Sequence, residues 1–104
     1  MDTTVEEVTI SFGPGCYYYS GYYGMEIPGG RTFTVSVPAG YRILEIKFSP
    51  SYNGSRGDFT PSTGTYARTG GNHSWTPTEP TESVTFTNGN SFEFDILTWT
   101  VTYE

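Results

Sequence analysis

Hydrophobic and polar residues alternate along most of this chain with a period of two, which is the pattern of half-buried β-strands. The clearest runs are VTISF at 8–12, TFTVSV at 32–37 and SVTF at 83–86. Combinations of glycine and proline separate the strands and predict turns. They stand at GPG 13–15, PGG 28–30 and PAG 38–40.

One strand contains a residue that does not fit the alternation. In YRILEIKF at 41–48, the hydrophobic residues Leu44, Ile46 and Phe48 are spaced by two and share a predicted inward face. Ile43 is out of phase with them. We expect Ile43 to lie under the adjacent turn.

The run SFEFDILTWTVTYE at 91–104 changes phase within the strand, because its hydrophobic positions move from even to odd numbers near Ile96 and Leu97. A straight strand cannot place both sets on one face. The pattern therefore predicts a β-bulge, or a bend from one sheet to the other, at this point. Just before it, TNGNS at 87–91 predicts a hairpin turn through Asn88 and Gly89.

The middle third of the chain is rich in Ser, Thr, Gly, Pro and Asn and has few hydrophobic residues. TGTYA at 63–67 predicts one short strand there, and NHSW at 72–75 is a candidate for another. We expect residues 49–62 and 68–80 to form exposed loops.

Together these patterns predict an all-β protein, with a single domain spanning residues 1–104. The expected architecture is a two-sheet antiparallel β-sandwich, immunoglobulin-like or jelly-roll-like, with about seven to nine strands. Its predicted core consists of the inward hydrophobic positions Phe12, Phe33, Val35, Val37, Ile46, Phe48, Val84, Phe86, Trp99 and Val101.

Composition and charge limit the range of binding partners that we expect for this chain. The 104 residues are 35% hydrophobic and 17% aromatic, so the core depends on a few large rings. The net charge of −6 disfavours nucleic acid and anionic membrane surfaces, because both are bound through Lys and Arg. The sequence contains no run of about 18 apolar residues, so membrane insertion is not expected, and no signal peptide is evident. The single cysteine, Cys16, cannot form an intrachain disulfide and is expected to be a small packed residue.

A resemblance to a known type of module rests on several of these runs. They are GGRTFTVSVPAGYRILEIKFS, TGTYA, a lone Trp, ESVTFTNG and WTVTYE. Together they resemble a β module of surface and secreted proteins of gut anaerobes, over roughly the whole chain. The resemblance implies a β-sandwich fold and implies no established ligand. The tyrosine-rich stretch and the segment 49–62 depart from the pattern of that module.

No arrangement of residues predicts an enzyme, a metal site or a cofactor. The only histidine, His73, lies in a Gly-rich stretch without a spaced carboxylate partner. Glu93 and Asp95 lie about 7 Å apart on one predicted strand face, but they alternate with Phe92 and Phe94 and should therefore point at solvent. The tripeptide RGD at 56–58 matches an integrin-binding signal, and we interpret it as a turn near a loop tip.

The stretch GCYYYSGYYG at 15–24 is the strongest candidate site. Half-buried tyrosines covering one edge of the core are the simplest interpretation of it. Alternatively, exposed rings could stack on sugars or contact a protein, or the segment could self-associate. Trp75 is expected to complete an aromatic platform. The candidate ligand-binding residues are Tyr17, Tyr18, Tyr19, Tyr22, Tyr23 and Trp75.

These observations predict a non-catalytic binding or adhesion module of an extracellular or cell-surface bacterial protein. The expected partner is a glycan or a protein. One alternative is a structural or self-assembling subunit, or a spacer, of a larger extracellular or phage assembly. A third is an acidic phage-type inhibitor, since the net charge of −6 suits a basic target.

Overall fold

β-Strands are the only regular elements in the computed structural model, which describes residues 2–5, 8–20, 24–52, 58–69, 72–89 and 94–104. The absence of helix in these ranges confirms the predicted all-β class. The described residues form eleven strands, more than the seven to nine expected from the sequence. They are β1 (Asp2–Val5), β2 (Val8–Phe12), β3 (Tyr17–Ser20), β4 (Gly24–Ile27), β5 (Thr32–Ser36), β6 (Ile43–Tyr52), β7 (Phe59–Pro61), β8 (Thr65–Thr69), β9 (Asn72–Thr76), β10 (Ser83–Asn88) and β11 (Phe94–Tyr103).

The strands form two antiparallel sheets, as the sequence predicted. The five-stranded sheet has the order β1-β2-β5-β10-β7, and the six-stranded sheet has the order β3-β4-β11-β6-β9-β8. Consecutive strands pair only in β1–β2, β3–β4 and β8–β9. At every other connection the chain passes from one sheet to the other. The two sheets are therefore tied together many times along the sequence.

Aromatic contacts within the five-stranded sheet and across to the six-stranded sheet make the centre of the core. Phe33 on β5 lies edge-on to Phe48 on β6, with ring centroids 5.5 Å apart, and stacks on Phe86 of β10 at 5.0 Å. The ring of Phe59 on β7 also packs edge-on to Phe33, at 5.5 Å. Such edge-to-face pairs stabilise a core beyond the area that they bury. The chain thus compensates for its low aliphatic content with a cluster of rings.

Most of the predicted core positions are buried. Seven of the ten are buried, namely Phe33, Val35, Val37, Ile46, Phe48, Val84 and Phe86. The other three, Phe12, Trp99 and Val101, are partly buried and pack against this cluster. The core also contains hydrophobic residues absent from the predicted set, which are Val8, Ile10, Met25, Ile27, Ile43, Phe59, Trp75 and Ile96.

Two irregularities in the pairing of β11 with β6 explain the phase changes seen in the sequence. The register shifts on both sides of Ile96, which confirms the bulge predicted there. The second irregularity is a further shift between Thr102 and Tyr103, where Leu44 of β6 is the extra residue. Because this bulge reverses the side-chain phase, Ile43 is buried and Leu44 is 37% exposed. The prediction that Leu44 faces inward was wrong.

The predicted hairpin at Asn88 was also wrong. Asn88 is the last residue of β10, and β10 and β11 lie in different sheets. Its side chain is buried and donates a hydrogen bond to the carbonyl oxygen of Ile27 at 2.9 Å. Asn88 therefore links the five-stranded sheet to β4 of the other sheet instead of occupying a tight turn.

The middle third is more regular than its composition suggests. The predicted strands at 63–67 and 72–75 are confirmed by β8 and β9. The prediction of exposed loops at 49–62 and 68–80 was wrong in part. In the first range β6 continues to Tyr52, and the second range contains β9. In both places, pairing with neighbouring strands overrides the local preference of Ser, Pro and Asn for turns.

Candidate functional site

Two exposed tyrosines lie on the outermost described strand of the six-stranded sheet. Tyr17 and Tyr18 belong to β3, which pairs only with β4 in the described structure. Their exposed fractions are 48% and 51%, the largest among the large hydrophobic side chains that the structure describes. We refer to this pair as the tyrosine edge. A binding role for the tyrosine stretch requires exposed rings, and these two residues meet that requirement, while ligand binding by them stays a prediction.

The two rings lie on opposite faces of the sheet, since adjacent strand residues alternate in direction. Tyr17 is paired with Glu26 of β4, and Glu26 is paired in turn with Asp95 of β11. Directly paired residues share a face, so a phenol and two carboxyl groups lie in one row on the outer face. Tyr18 is paired with Met25, a core residue. The tyrosine edge thus combines an aromatic ring with neighbouring hydrogen-bond acceptors on one side only.

Tyr22 and Tyr23 lie outside the described residues, and Tyr19 is described only through its backbone in β3. A platform of five rings therefore stays a prediction.

Trp75 does not contribute to an exposed platform, and that prediction was wrong. Its side chain is fully buried in β9, and its indole Nε1–H donates a hydrogen bond to the carbonyl oxygen of Thr63 at 2.7 Å. A stacking partner needs an open ring face, which this residue lacks. Trp75 is a core residue because cross-strand pairing with Ile46 turns it inward.

The only histidine is also in the interior. His73 is fully buried, its ring stacks on Phe48 with centroids 4.9 Å apart, and its Nδ1 lies 2.6 Å from the hydroxyl oxygen of Tyr66. Burial raises the pKa of Tyr66 to about 12, while a hydrogen bond from the Phe59 backbone lowers it in part. The hydroxyl and the imidazole share one short hydrogen bond, and the tautomer of the ring sets which of the two groups donates. The arrangement is a structural hydrogen bond between β8 and β9.

The acidic residues singled out in the sequence differ in their surroundings. Asp95 is buried, so the prediction that it points at solvent was wrong, and Glu93 lies outside the described residues. Asp95 is paired with Glu26 of β4 and with Tyr52 of β6, so it lies within the sheet between two neighbouring strands. Of the RGD tripeptide, Asp58 is exposed, whereas Arg56 and Gly57 lie outside the described residues.

Cys16 is partly buried and packs against the core, as expected for a small packed residue. Burial raises the pKa of its thiol above the ordinary value of 9.0, and the nearby guanidinium of Arg31 lowers it in part. Its Sγ donates a weak hydrogen bond to the carbonyl oxygen of Thr32 at 3.5 Å. These surroundings favour the unreactive thiol form.

A second group of exposed polar and aromatic residues was missed in the sequence. Tyr41 and Arg42 follow the turn after β5, Glu82 precedes β10, and Glu104 follows β11. They line one cleft together with Thr81. Arg42 and Glu104 are separated by 62 positions, so no local motif could have indicated their contact.

Within the described ranges, no three or more His, Cys, Asp or Glu side chains come together as they would around a metal ion. The same part of the chain contains no helix with the length and apolar character of a membrane span.

Comparison with known proteins found no matching family model, no matching curated protein and no matching solved structure.

Proposed function

We propose that this chain is a non-catalytic recognition module of an extracellular or cell-surface protein, and that its ligand is a glycan bound at the tyrosine edge. The observation that carries the proposal is the exposure of Tyr17 and Tyr18 on an outer strand, with Glu26 beside Tyr17. The resemblance of the strand and turn pattern to a module of surface and secreted proteins supports the same assignment.

The chemistry of the tyrosine edge suits a sugar. A phenol ring stacks on the apolar face of a sugar ring, and tyrosine does so at a low cost in conformational entropy. The carboxylate of Glu26 accepts hydrogen bonds from sugar hydroxyls on the same face as Tyr17. One ring with one acceptor gives weak binding, so we expect dissociation constants on the order of 1 mM.

The test is a nuclear magnetic resonance titration of the ¹⁵N-labelled chain with a panel of methyl glycosides and short oligosaccharides. Binding should shift the backbone amides of Tyr17, Tyr18 and Glu26. Tyr17→Ala should weaken that response at least fivefold. Tyr41→Ala, which removes an exposed tyrosine elsewhere, should leave the response of these three amides unchanged.

The proposal fails if no glycan shifts these amides at tens of millimolar concentration, or if the Tyr17→Ala and Tyr41→Ala variants respond alike. A variant that only loses stability, with unchanged amide shifts on titration, would assign the tyrosine edge to packing.

Self-association is a second candidate function, favoured by the position of β3 at the end of its sheet. An outer strand can pair with the same strand of another molecule, and exposed tyrosines are enriched in protein interfaces. Sedimentation of the wild type and of Tyr18→Ala over a hundredfold concentration range tests this. A concentration-dependent dimer that the substitution abolishes would support assembly, and a monomer throughout would exclude it.

A further inference from the structure

The cleft lined by Tyr41, Arg42, Thr81, Glu82 and Glu104, which we call the polar cleft, is a concave feature of the molecule away from the tyrosine edge. It lies where the turn after β5, the segment before β10 and the residue after β11 meet. Its volume is about 400 Å³. Small-molecule sites in proteins typically occupy about 300–1,000 Å³, so the polar cleft is large enough for one small ligand.

Backbone hydrogen bonds fix its walls. The amide of Arg42 donates to the carbonyl oxygen of Glu104 at 2.7 Å, and the amide of Glu104 donates back to Arg42 at 3.0 Å. The amide of Ile43 donates to the carbonyl oxygen of Thr81 at 2.8 Å. The three segments are thereby held together before a ligand arrives, which lowers the ordering cost of binding.

An aromatic ring forms one side of the polar cleft. Tyr41 is 39% exposed, and its ring lies edge-on to Tyr103 with centroids 5.8 Å apart and an interplanar angle of 65°. The contact with Tyr103 orients the Tyr41 ring while leaving part of it open. An oriented, partly open ring is what stacking on a ligand requires.

The guanidinium of Arg42 and the carboxylate of Glu104 line the polar cleft together with this ring, and they are hydrogen-bonded to each other. Nε of Arg42 donates to Oε2 of Glu104 at 3.0 Å, and Nη2 of Arg42 donates to the same oxygen. The two side chains are nevertheless 52% and 56% exposed. A guanidinium has five N–H donors and a carboxylate accepts several hydrogen bonds, so both groups keep capacity for a ligand.

These groups define the class of ligand. The lining side chains have a net negative charge, because Glu82 and Glu104 outnumber Arg42. This charge disfavours phosphate and sulfate compounds. The single exposed ring offers too little apolar area for a lipid. A neutral sugar presents an apolar face and a rim of hydroxyl groups, and it matches a ring flanked by oriented donors and acceptors. We propose that the polar cleft is a saccharide-binding site distinct from the tyrosine edge.

This inference rests on the proposed function for the class of ligand, a saccharide, but it places that ligand at a different site. The polar cleft and the tyrosine edge lie near opposite ends of β11, because Glu26 is paired with Asp95 and Arg42 is bonded to Glu104. Asp95 and Tyr103 are eight positions apart on β11, which corresponds to about 25 Å of strand. One short saccharide therefore cannot reach both sites.

The experiment follows the ¹⁵N-labelled full chain as it is titrated separately with methyl glycosides of common neutral hexoses and N-acetylhexosamines, with choline and with inorganic phosphate. At least one neutral glycoside should shift the amides of Tyr41, Arg42 and Glu82. Phosphate should not shift them. A response to choline with none to the glycosides would assign the polar cleft to organic cations over an aromatic ring, and would overturn the saccharide proposal.

Three variants locate the response. Tyr41→Ala should weaken glycoside binding at the polar cleft at least tenfold. Arg42→Lys keeps the positive charge but loses the paired N–H donors, and should weaken it about threefold to tenfold. Tyr17→Ala, at the tyrosine edge, should leave the response of these amides unchanged. Thermal unfolding of each variant checks that the sandwich is intact.

The outcomes separate this inference from the proposed function. Shifts at Tyr41 and Arg42 that persist in Tyr17→Ala support the polar cleft even if the tyrosine edge does not respond. Shifts confined to Tyr17 and Glu26 overturn the polar cleft and leave the proposed function intact. Absence of any response to every glycoside at tens of millimolar overturns both.

Discussion

Gly64 and Trp75 are in such close contact that no side chain fits between them. A Cβ built on Gly64 would lie 2.5 Å from three atoms of the Trp75 indole ring. The Gly64 backbone also has a φ of +81°, which side chains other than glycine rarely adopt. The indole is anchored on the same segment, since its Nε1–H donates to the carbonyl oxygen of Thr63. Glycine at this position therefore allows the bend before β8 to cover a core tryptophan.

We predict that Gly64→Ala destabilises the fold by about 3 kcal/mol, from left-handed backbone strain of about 1–2 kcal/mol and displacement of the packed ring. Gly30→Ala is the matched control. Its φ is +80° and nothing lies within 4 Å of a built Cβ, so only the strain contributes. Chemical denaturation should show Gly64→Ala as less stable than Gly30→Ala by about 2 kcal/mol. Equal losses would contradict the packing argument.

Because the pKa of Tyr66 is raised, we expect the fold to lose stability at alkaline pH. This pKa is about 12 in the folded chain because of burial, against an ordinary value of 10.0. Between these values the folded state keeps a proton that the unfolded state has lost. The free energy of unfolding should therefore be unaffected by this group below pH 10 and should fall as the pH rises from 10 towards 12.

The comparison that isolates this group is Tyr66→Phe, measured by urea unfolding at pH 7, 10 and 11. At pH 7 the variant should lose about 1 kcal/mol, because the hydrogen bond to His73 Nδ1 is removed. Its stability should then fall less steeply above pH 10 than that of the wild type. Parallel pH profiles for the two proteins would show that Tyr66 does not cause the alkaline loss.

The thiol of Cys16 should react slowly in the folded chain. Burial raises its pKa above 9.0, so little thiolate is present at pH 8. Its reaction with an aromatic disulfide reagent should be at least tenfold faster in urea than under native conditions. Arg31→Met removes the cation that lowers this pKa, and should slow the native reaction further. Equal native and unfolded rates would show an open, ordinary thiol.

Alternation of hydrophobic residues predicted the inward face of the sandwich well, because strand side chains have a period of two wherever one face is buried. Phe33 and Val35 on β5 illustrate this, with Thr32, Thr34 and Ser36 on the outer face. The bulge near Ile96 was also evident, since a change of phase within one strand requires it. These features depend on local sequence alone.

Features that depend on contacts between distant segments were not predictable in this way. Asn88 and Gly89 are residues typical of a hairpin turn, but the next strand, β11, belongs to the other sheet. The side-chain amide of Asn88 instead donates a hydrogen bond to the carbonyl oxygen of Ile27, 61 positions away. Trp75 stands among Gly, Asn and Ser, which favour loops, yet it pairs with Ile46 and points inward. Exposure of at least some rings in the tyrosine stretch was expected because neighbouring strand residues face opposite ways, and Tyr17 and Tyr18 are both exposed. The polar cleft was missed because its residues converge only after folding.

The bulge in β6 provides the sharpest test of the register. Ile43→Ala and Leu44→Ala remove the same number of carbon atoms at adjacent positions. Ile43 is 1% exposed and Leu44 is 37% exposed, because the extra residue between the partners of Thr102 and Tyr103 reverses the phase of the strand. Ile43→Ala should therefore cost about 2–4 kcal/mol through loss of burial and an internal cavity, whereas Leu44→Ala should cost less than about 1 kcal/mol. Urea unfolding of both variants measures the difference. A larger loss for Leu44→Ala would restore the straight-strand register in which Leu44, Ile46 and Phe48 share the inner face.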